Sequence, residues 1–444
     1  MKLLVALTSG LVLAGSLGVV ALFASSAPSF ATARNYPTGR APFSVVIGDL
    51  NGDGKPDLAT ANALSNSVSV RFNRGDGSFQ AKLDYVTGSF PTLAIGDVNG
   101  NGSPDLATAN VDANTVSVLL NRGDGSFQAK TDYATGRVPE AVAIDDLNGD
   151  GKPDLATANV DANTVSVLLN RGDGSFQANL EYATGRGPYS IAIGDLNGDG
   201  KPDLATANEG ADTVSVLTNG GDGSFRAKRD YRTGSGPFSV AIGDLNGDLK
   251  PDLATANFDA NTVSVILNRA DGSFQAKLDY RTGRIPWSVA IGDVDGDGKP
   301  DLATANREIA GEGGSNTVAV LLNKGDGSFQ AKLEYATGRS PVSVAIGDLN
   351  ADGKPDLATA NEVANTVSVL LNTPGLCSVQ DVKRQKLAAA KRTIMRANCR
   401  VGKILRASSN TVKRGRVISE KPKPGTVLPG DGRVTLVVSS GRRR

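Results

Sequence analysis

Residues 190–226 read SIAIGDLNGDGKPDLATANEGADTVSVLTNGGDGSFR, and the same stretch recurs with small changes along most of the chain. Its core, DLNGDGKPD, has counterparts opening at Asp49, Asp97, Asp146, Asp195, Asp244, Asp293 and Asp348, spaced 48, 49, 49, 49, 49 and 55 residues. The last interval is lengthened by an insertion within residues 307–315, and insertions at one point of a repeat fall in one loop. Each copy holds four short segments, of the forms SVAIGDL, DLATAN, NTVSVLL and FQAKLDY, rich in alternating or β-branched residues and bounded by turn formers. None has a helical period. Four strands every 49 residues or so, seven times, predict an all-β fold: a seven-bladed β-propeller, whose radial closure leaves few exposed sheet edges.

The ends suggest how the ring closes. The seventh copy stops near Pro374 without a fourth strand, while RNYPTG at 34–39 matches the end of that strand elsewhere, as in DYVTG at 84–88. The N-terminal segment is therefore expected to complete blade seven. The match extends back to Ser29-Phe30, upstream of the A-x-A cleavage pattern at Ala31 and Ala33. Before it, Leu3 to Ala24 is mostly apolar behind Lys2, which predicts export through a cleaved signal at 1–33, with an uncleaved anchor as the alternative. The propeller is placed at 34–375.

Composition narrows the chemistry. With 53 Gly and 20 Pro in 444 residues the chain falls below the roughly 25–30% typical of low-complexity sequences. Histidine is absent, which excludes Ser-His-Asp and Cys-His nucleophile systems and histidine zinc sites. The net charge of +1 hides a division: residues 376–444 carry 18 Lys and Arg against three acids (+15), leaving 29 basic and 43 acidic residues before them (−14). An acidic body joined to a basic tail implies two modules with different partners.

Every copy carries D-x-[ND]-x-[DN]-x-x-P-D. Its oxygen-bearing positions 1, 3, 5 and 9 are Asp49, Asn51, Asp53, Asp57; Asp97, Asn99, Asn101, Asp105; Asp146, Asn148, Asp150, Asp154; and Asp195, Asn197, Asp199, Asp203 in the first four blades. Asp244, Asn246, Asp248, Asp252; Asp293, Asp295, Asp297, Asp301; and Asp348, Asn350, Asp352, Asp356 complete the series. With a main-chain carbonyl at position 7 (Lys55) and a turn-permitting Gly54 at 6, this is the logic of a Ca²⁺ loop, up to one ion per blade. Asp295 gives the sixth loop four carboxylates, Asn101 leaves the second with two, and Leu249 replaces the flexible glycine of the fifth. An EF-hand is excluded, because position 12 is Thr60 and position 8 is Pro56. The alternative is a set of Asx turns without an ion, against which the crowding of like charges counts.

These residues, with the later N-x-GDGSF loop, resemble the FG-GAP/VCBS repeats also found in integrin α-subunit propellers. The resemblance implies a propeller with one calcium per blade, in a family used mostly for extracellular adhesion and ligand binding. The RGD tripeptides at 74–76, 122–124 and 171–173 are read as turn filler, since equivalent positions hold GGD, RAD and KGD.

On the face opposite the acidic loops, the crossovers between blades carry Arg40, Arg137, Arg186, Arg284 and Arg339. The residue after the crossover proline varies: Phe43, Thr92, Glu140, Tyr189, Phe238, Trp287, Val342. Variation at one point of a monotonous repeat suggests a surface fitted to a partner, with Phe43, Tyr189, Phe238, Trp287 and the arginines as candidate contacts for a glycan or surface polymer. The alternative is a plug sealing the propeller.

In the tail, Leu387, Ala390, Ile394 and Ala397 stand at helical spacing, and strand-like runs follow at 400–407, 415–419 and 434–439. DVKRQKLAAAKR, GRVISEKPKPGTVLP and VTLVVSSG resemble a PASTA domain over 376–444, giving a small α+β module. The resemblance implies peptidoglycan recognition, and the charge favours anionic wall polymers. Gln380 and Arg384 stand where that family usually has Pro and Gly. Cys377 and Cys399, the only cysteines of an exported chain, suggest one disulfide. LPGDG at 428–432 imitates a wall-sorting signal but has Asp at its fourth position.

These readings lead to a non-catalytic, calcium-stabilised extracellular adhesion or binding protein, monomeric, without nucleic-acid partners, secreted or held at the bacterial cell wall. The alternatives are a secreted hydrolase or lyase, for which Glu140 and Asp145 are the only unusual acids, and a purely structural envelope protein.

Overall fold

The computed structural model describes residues 28–269, 272–307, 315–373, 377–397, 399–428 and 432–442. The apolar stretch read as an export signal, most of the blade-six insertion and part of the sorting-like motif lie outside them. Among the described residues no helix is long and apolar enough to cross a membrane.

Blade one runs Pro42–Gly48, Asp57–Asn62, Ser67–Arg71 and Leu83–Val86 as a four-stranded antiparallel meander from axis to rim. Six more four-stranded sheets follow the same plan. Every residue of Asp57–Asn62 is buried, because this second strand is covered on both faces by neighbouring blades. That is why it alternates Leu, Ala, Thr and Ala: Ala59 and Ala61 are thin enough to let facing sheets approach while remaining fully buried. Each hydrophobic cluster of the propeller spans two blades, as where Val68 and Val70 of blade one meet Leu106, Leu119 and Phe127 of blade two.

Inner strands carry a bulge at the crossover end, between Pro42 and Ser44 in blade one and at the same place in five other blades. Blade two lacks it: Pro91–Gly96 is one residue shorter and pairs in unbroken register. The single 48-residue interval is this lost bulge residue.

Closure occurs where the sequence placed it. Arg34–Pro37 pairs antiparallel with Thr366–Leu370 as the outer strand of blade seven. The Val45 amide donates to Ser343 Oγ at 3.2 Å, joining the inner strands of blades seven and one. Ser29–Phe30 also pairs with Asn372–Thr373. Phe30 lies 4.8 Å from Tyr335, centroid to centroid, as Phe79 lies 5.3 Å from Tyr36, and the Tyr335 hydroxyl donates to the Pro28 carbonyl at 2.6 Å. Residues 28–33, on the signal side of the expected boundary at 34, are thus built into blade seven.

In the tail, Arg433–Ser439 is the central strand, parallel to Arg400–Ala407 and antiparallel to Val417–Lys421. The helix Leu387–Arg396 buries Ala390 and Ile394 against Val417, Val434, Leu436 and Val438. The second strand starts two residues later than its sequence suggested, because Gly415 is left-handed (φ 79°) and belongs to the preceding turn. Cys399 is buried in this core, and no cysteine is free among the described residues. The Cys377 side chain lies outside them, so the pairing remains an expectation.

Candidate metal loops and an axial cavity

Each acidic loop is a closed circuit of hydrogen bonds. In blade one, Asp49 Oδ1 accepts from the Gly52 and Asp53 amides (2.8 and 3.2 Å) and Oδ2 from the Gly54 amide (2.8 Å). Asn51 Oδ1 accepts from Asp53 N and Asp53 Oδ1 from Lys55 N, both at 3.0 Å. Gly52 and Gly54 are left-handed (φ 73° and 80°), which turns these amides inward. The fifth loop keeps this geometry at a cost: Leu249 holds φ 64° so that its amide reaches Asp244 Oδ2 at 2.8 Å. Ala351 is left-handed too (φ 58°), so the seventh loop carries a second such strain that the sequence reading passed over.

Position 9 has a structural role beside any ionic one. Asp57 is fully buried; its Oδ2 accepts from Leu50 N (3.0 Å) and its Oδ1 from Asn73 N (2.8 Å), tying the loop to the GDGSF hairpin. Asn73 Nδ2 donates onward to the Leu349 carbonyl of the adjacent blade at 2.8 Å, and Asn121, Asn170, Asn219, Asn268, Asn323 and Asn372 repeat the staple. Burial, with neighbouring loop carboxylates adding to it, pushes Asp57, Asp105, Asp154, Asp203 and Asp252 up to about 6 and Asp301 and Asp356 to about 7.

Only in the sixth loop do three carboxylates converge among the described residues, with ligand oxygens of Asp293, Asp295 and Asp297 all within 4.8 Å of one another. Elsewhere position 3 is Asn, which contributes a neutral oxygen. A donor set of hard oxygens, already oriented and under-compensated in charge, fits a hard divalent cation such as Ca²⁺. The position-7 lysines, noted in sequence only for a carbonyl, act as tethered cations: Lys55 Nζ lies 3.0 Å from Asp53 and Lys299 Nζ 2.9 Å from Asp297. The RGD segments are spent on the turn. Ser78 N donates to Asp76 Oδ1 (2.9 Å), and the Arg74 guanidinium donates to the Phe79 carbonyl.

At the other end of the axis, the seven post-proline residues converge. Phe43, Thr92, Glu140, Tyr189, Phe238, Trp287 and Val342 line one cavity of ≈ 140 Å³. Their rings pack on one another, with centroid separations of 4.5 Å for Tyr189–Phe238, 4.6 Å for Phe238–Trp287 and 5.7 Å for Phe43–Trp287. Phe90 and Phe258 extend the cluster. Arg307, missed in the sequence reading because it borders the insertion, stacks its guanidinium 4.6 Å from the Trp287 ring centroid and pairs with Glu362 at 2.5 Å. The five crossover arginines do not line this cavity; they are exposed at the rim, where Arg137 pairs with Asp161 at 3.4 Å.

The gap in the aromatic ring falls at blades two and three. Thr92 replaces a ring on the bulge-less strand, and its Oγ1 is buried with no hydrogen-bond partner. Glu140 beside it is pushed up to about 7, chiefly by burial and then by Asp112. The crossovers are strained as well: Val138 and Ile285 adopt φ 59° and 55°, rare for β-branched residues. Asparagines of the preceding blade hold them there, Asn114 accepting from Val138 N (2.8 Å) and Asn261 from Ile285 N (2.7 Å). Asp145, the other unusual acid, sits at the opposite end of the strand Pro139–Asp145 and is exposed, so the two acids do not form a pair.

The molecule is thus a repeat β-propeller followed by a small α+β module. The FG-GAP-like repeat model matches residues 49–108, 97–157, 146–206, 195–255, 244–304 and 308–359, and the PASTA domain model matches 378–440. The chain belongs to the FG-GAP-like repeat family. Among solved structures, BBS1N in complex with ARL6DN is similar at 14% identity, over 77% of this chain and 97% of that one, with a TM-score of 0.54. A catalytically inactive histidine-to-alanine virginiamycin B lyase from Staphylococcus aureus, with quinupristin, is similar at 16% identity over 77% and 99%, TM-score 0.51. An Agrocybe aegerita lectin recognising non-reducing terminal N-acetylglucosamine has 20% identity over 72% and 86%, TM-score 0.48. The first two show a shared fold. With its PASTA domain, the chain is a propeller-scaffold protein tied to the cell envelope.

Proposed function

We propose that the chain is a non-catalytic extracellular binding protein, calcium-stabilised on its loop face, that presents its crossover face to a glycan or surface polymer. Its basic PASTA domain holds peptidoglycan or an anionic wall polymer. In each loop the side chains at positions 1, 3, 5 and 9 and the carbonyl at 7 would hold Ca²⁺, whose charge neutralises the buried carboxylates. One observation carries the binding role: the position that varies among otherwise uniform repeats is the position whose seven copies meet in one cavity. Against catalysis, that lining holds a single carboxylate, where acid–base cleavage of glycosides ordinarily requires two. The chain also has no histidine, the residue replaced in the inactive lyase.

The test is retention on purified bacterial wall, comparing the full chain with one ending at residue 375. The full chain is expected to bind at low salt and elute as salt rises, since screening weakens charge attraction. Equal retention of the truncated chain overturns the role given to the tail. Cleavage of any polymer that binds overturns the non-catalytic reading.

A further inference from the structure

We propose that the axial cavity binds an organic ammonium group, with Glu140 as its counter-ion, Thr92 as a hydrogen-bond acceptor and Tyr189, Phe238 and Trp287 as its aromatic wall. The inference rests on the crossover face being the recognition surface and names the chemistry recognised there.

Four observations converge. First, the cavity combines a half-buried carboxylate with a threonine hydroxyl that is 9% exposed and has no partner, so its polar side awaits a donor. Second, the opposite wall is a packed aromatic cluster, and aromatic faces attract cations within about 6 Å. The same cluster already holds one cation this way, in Arg307 over Trp287. Third, the surroundings are acidic on balance: Asp112 acts on Glu140, and Glu140, Glu209 and Asp161 all act on Tyr189, while the nearby Arg137 and Arg307 are paired with Asp161 and Glu362. An anion is repelled here, and a neutral hydroxyl would leave the carboxylate charge uncompensated. Fourth, ≈ 140 Å³ is small beside the roughly 300–1,000 Å³ of whole-ligand pockets and close to the ~150 Å³ cavity that admits benzene. The occupant is a terminal group on a longer molecule.

The reporter is built in, because Trp287 is the only tryptophan in the chain. Fluorescence of the full protein is titrated with choline, with its neutral isostere 3,3-dimethylbutanol, and with ethanolamine. Choline is expected to give a saturable change, the neutral isostere to bind about tenfold or more weakly, and Glu140→Gln to lose about tenfold in choline affinity without any loss of melting temperature. Ammonium binding needs ionised Glu140, so affinity should rise with pH through about 7 and flatten in Glu140→Gln, with Asp112 and Tyr189 the titratable groups facing it. The relative affinities separate the sources: tighter ethanolamine, weakened by Thr92→Val, marks a primary ammonium, as on a peptide or wall polymer, tighter choline marks a quaternary headgroup, and no loss for either ligand in Thr92→Val overturns the acceptor role given to Thr92. Equal responses to choline and its isostere, or unchanged affinity in Glu140→Gln, overturn the proposal. Binding of a glycan or surface polymer by the chain ending at residue 375 that persists in that case leaves the crossover face standing as a recognition surface.

Discussion

On the loop face, seven copies of one acidic motif hold nearly the same hydrogen-bond circuit, whereas on the crossover face seven equivalent positions hold six residue types and meet at the axis. The two faces answer to different constraints. A loop that must turn, bury its ninth-position Asp and staple to a neighbouring blade faces the same problem seven times, so the solution repeats. An axial cavity exists once, and seven identical side chains around it would offer a ligand seven equivalent orientations. Divergence there makes a single polar sector, Thr92 and Glu140, opposite a single aromatic one.

The sharpest way to break this contrast is to remove the ion proposed for the loop face. Excess EDTA should lower the melting temperature strongly relative to millimolar Ca²⁺, since each site held at a thousandfold its Kd adds about 4 kcal/mol. The sixth loop should release its ion last, and the second and fifth first. An unchanged melting temperature, with no calcium found by elemental analysis, would reduce the loops to Asx turns.

A second test addresses closure. Deleting residues 29–33 removes Phe30 from its contact with Tyr335 and should cost about 3 kcal/mol, read by denaturant melts. N-terminal sequencing of the protein isolated from the cell envelope should correspondingly find a start upstream of Ser29. A mature protein beginning at Arg34 with full stability would show these contacts to be dispensable.

Smaller effects sharpen the comparison from within each face. Leu249→Gly should stabilise by about 1 kcal/mol, because Leu249 is 90% exposed and loses little packing when its left-handed strain is relieved. Destabilisation would mean that Leu249 has a partner on the loop face. The last effect is confined to neutral and alkaline pH and belongs to Glu140. Its pKa is raised on folding from 4.5 to about 7, so its contribution favours the fold below about 4.5 and is lost as pH rises through about 7. Glu140→Gln should therefore melt higher than the parent at pH 8 and the same at pH 4, with calcium held constant.

Much of this was legible in sequence because a repeat states its own register. The 49-residue period, the four β segments and the RNYPTG match gave the blades and their closure, since strand periodicity and turn residues are local properties. The spacing also recorded the missing bulge of blade two, though 48 instead of 49 does not say which residue is gone. The tail helix was readable from Leu387, Ala390 and Ile394, while its second strand shifted because nothing local revealed that Gly415 belongs to a turn.

By itself the sequence determined the fold class, the acidic donor set and the division into an acidic body and a basic tail, all of which follow from residue type and spacing along the chain. Only the tertiary structure decided that Phe43, Thr92, Glu140, Tyr189, Phe238, Trp287 and Val342 share one cavity while the crossover arginines stay at its rim. It also decided that Glu140 and Asp145 stand at opposite ends of a strand, and that residues 28–33 belong to blade seven. The reason is geometric: residues some 49 positions apart become neighbours only when seven sheets close around an axis, and burial, pKa and contact are properties of that closed ring.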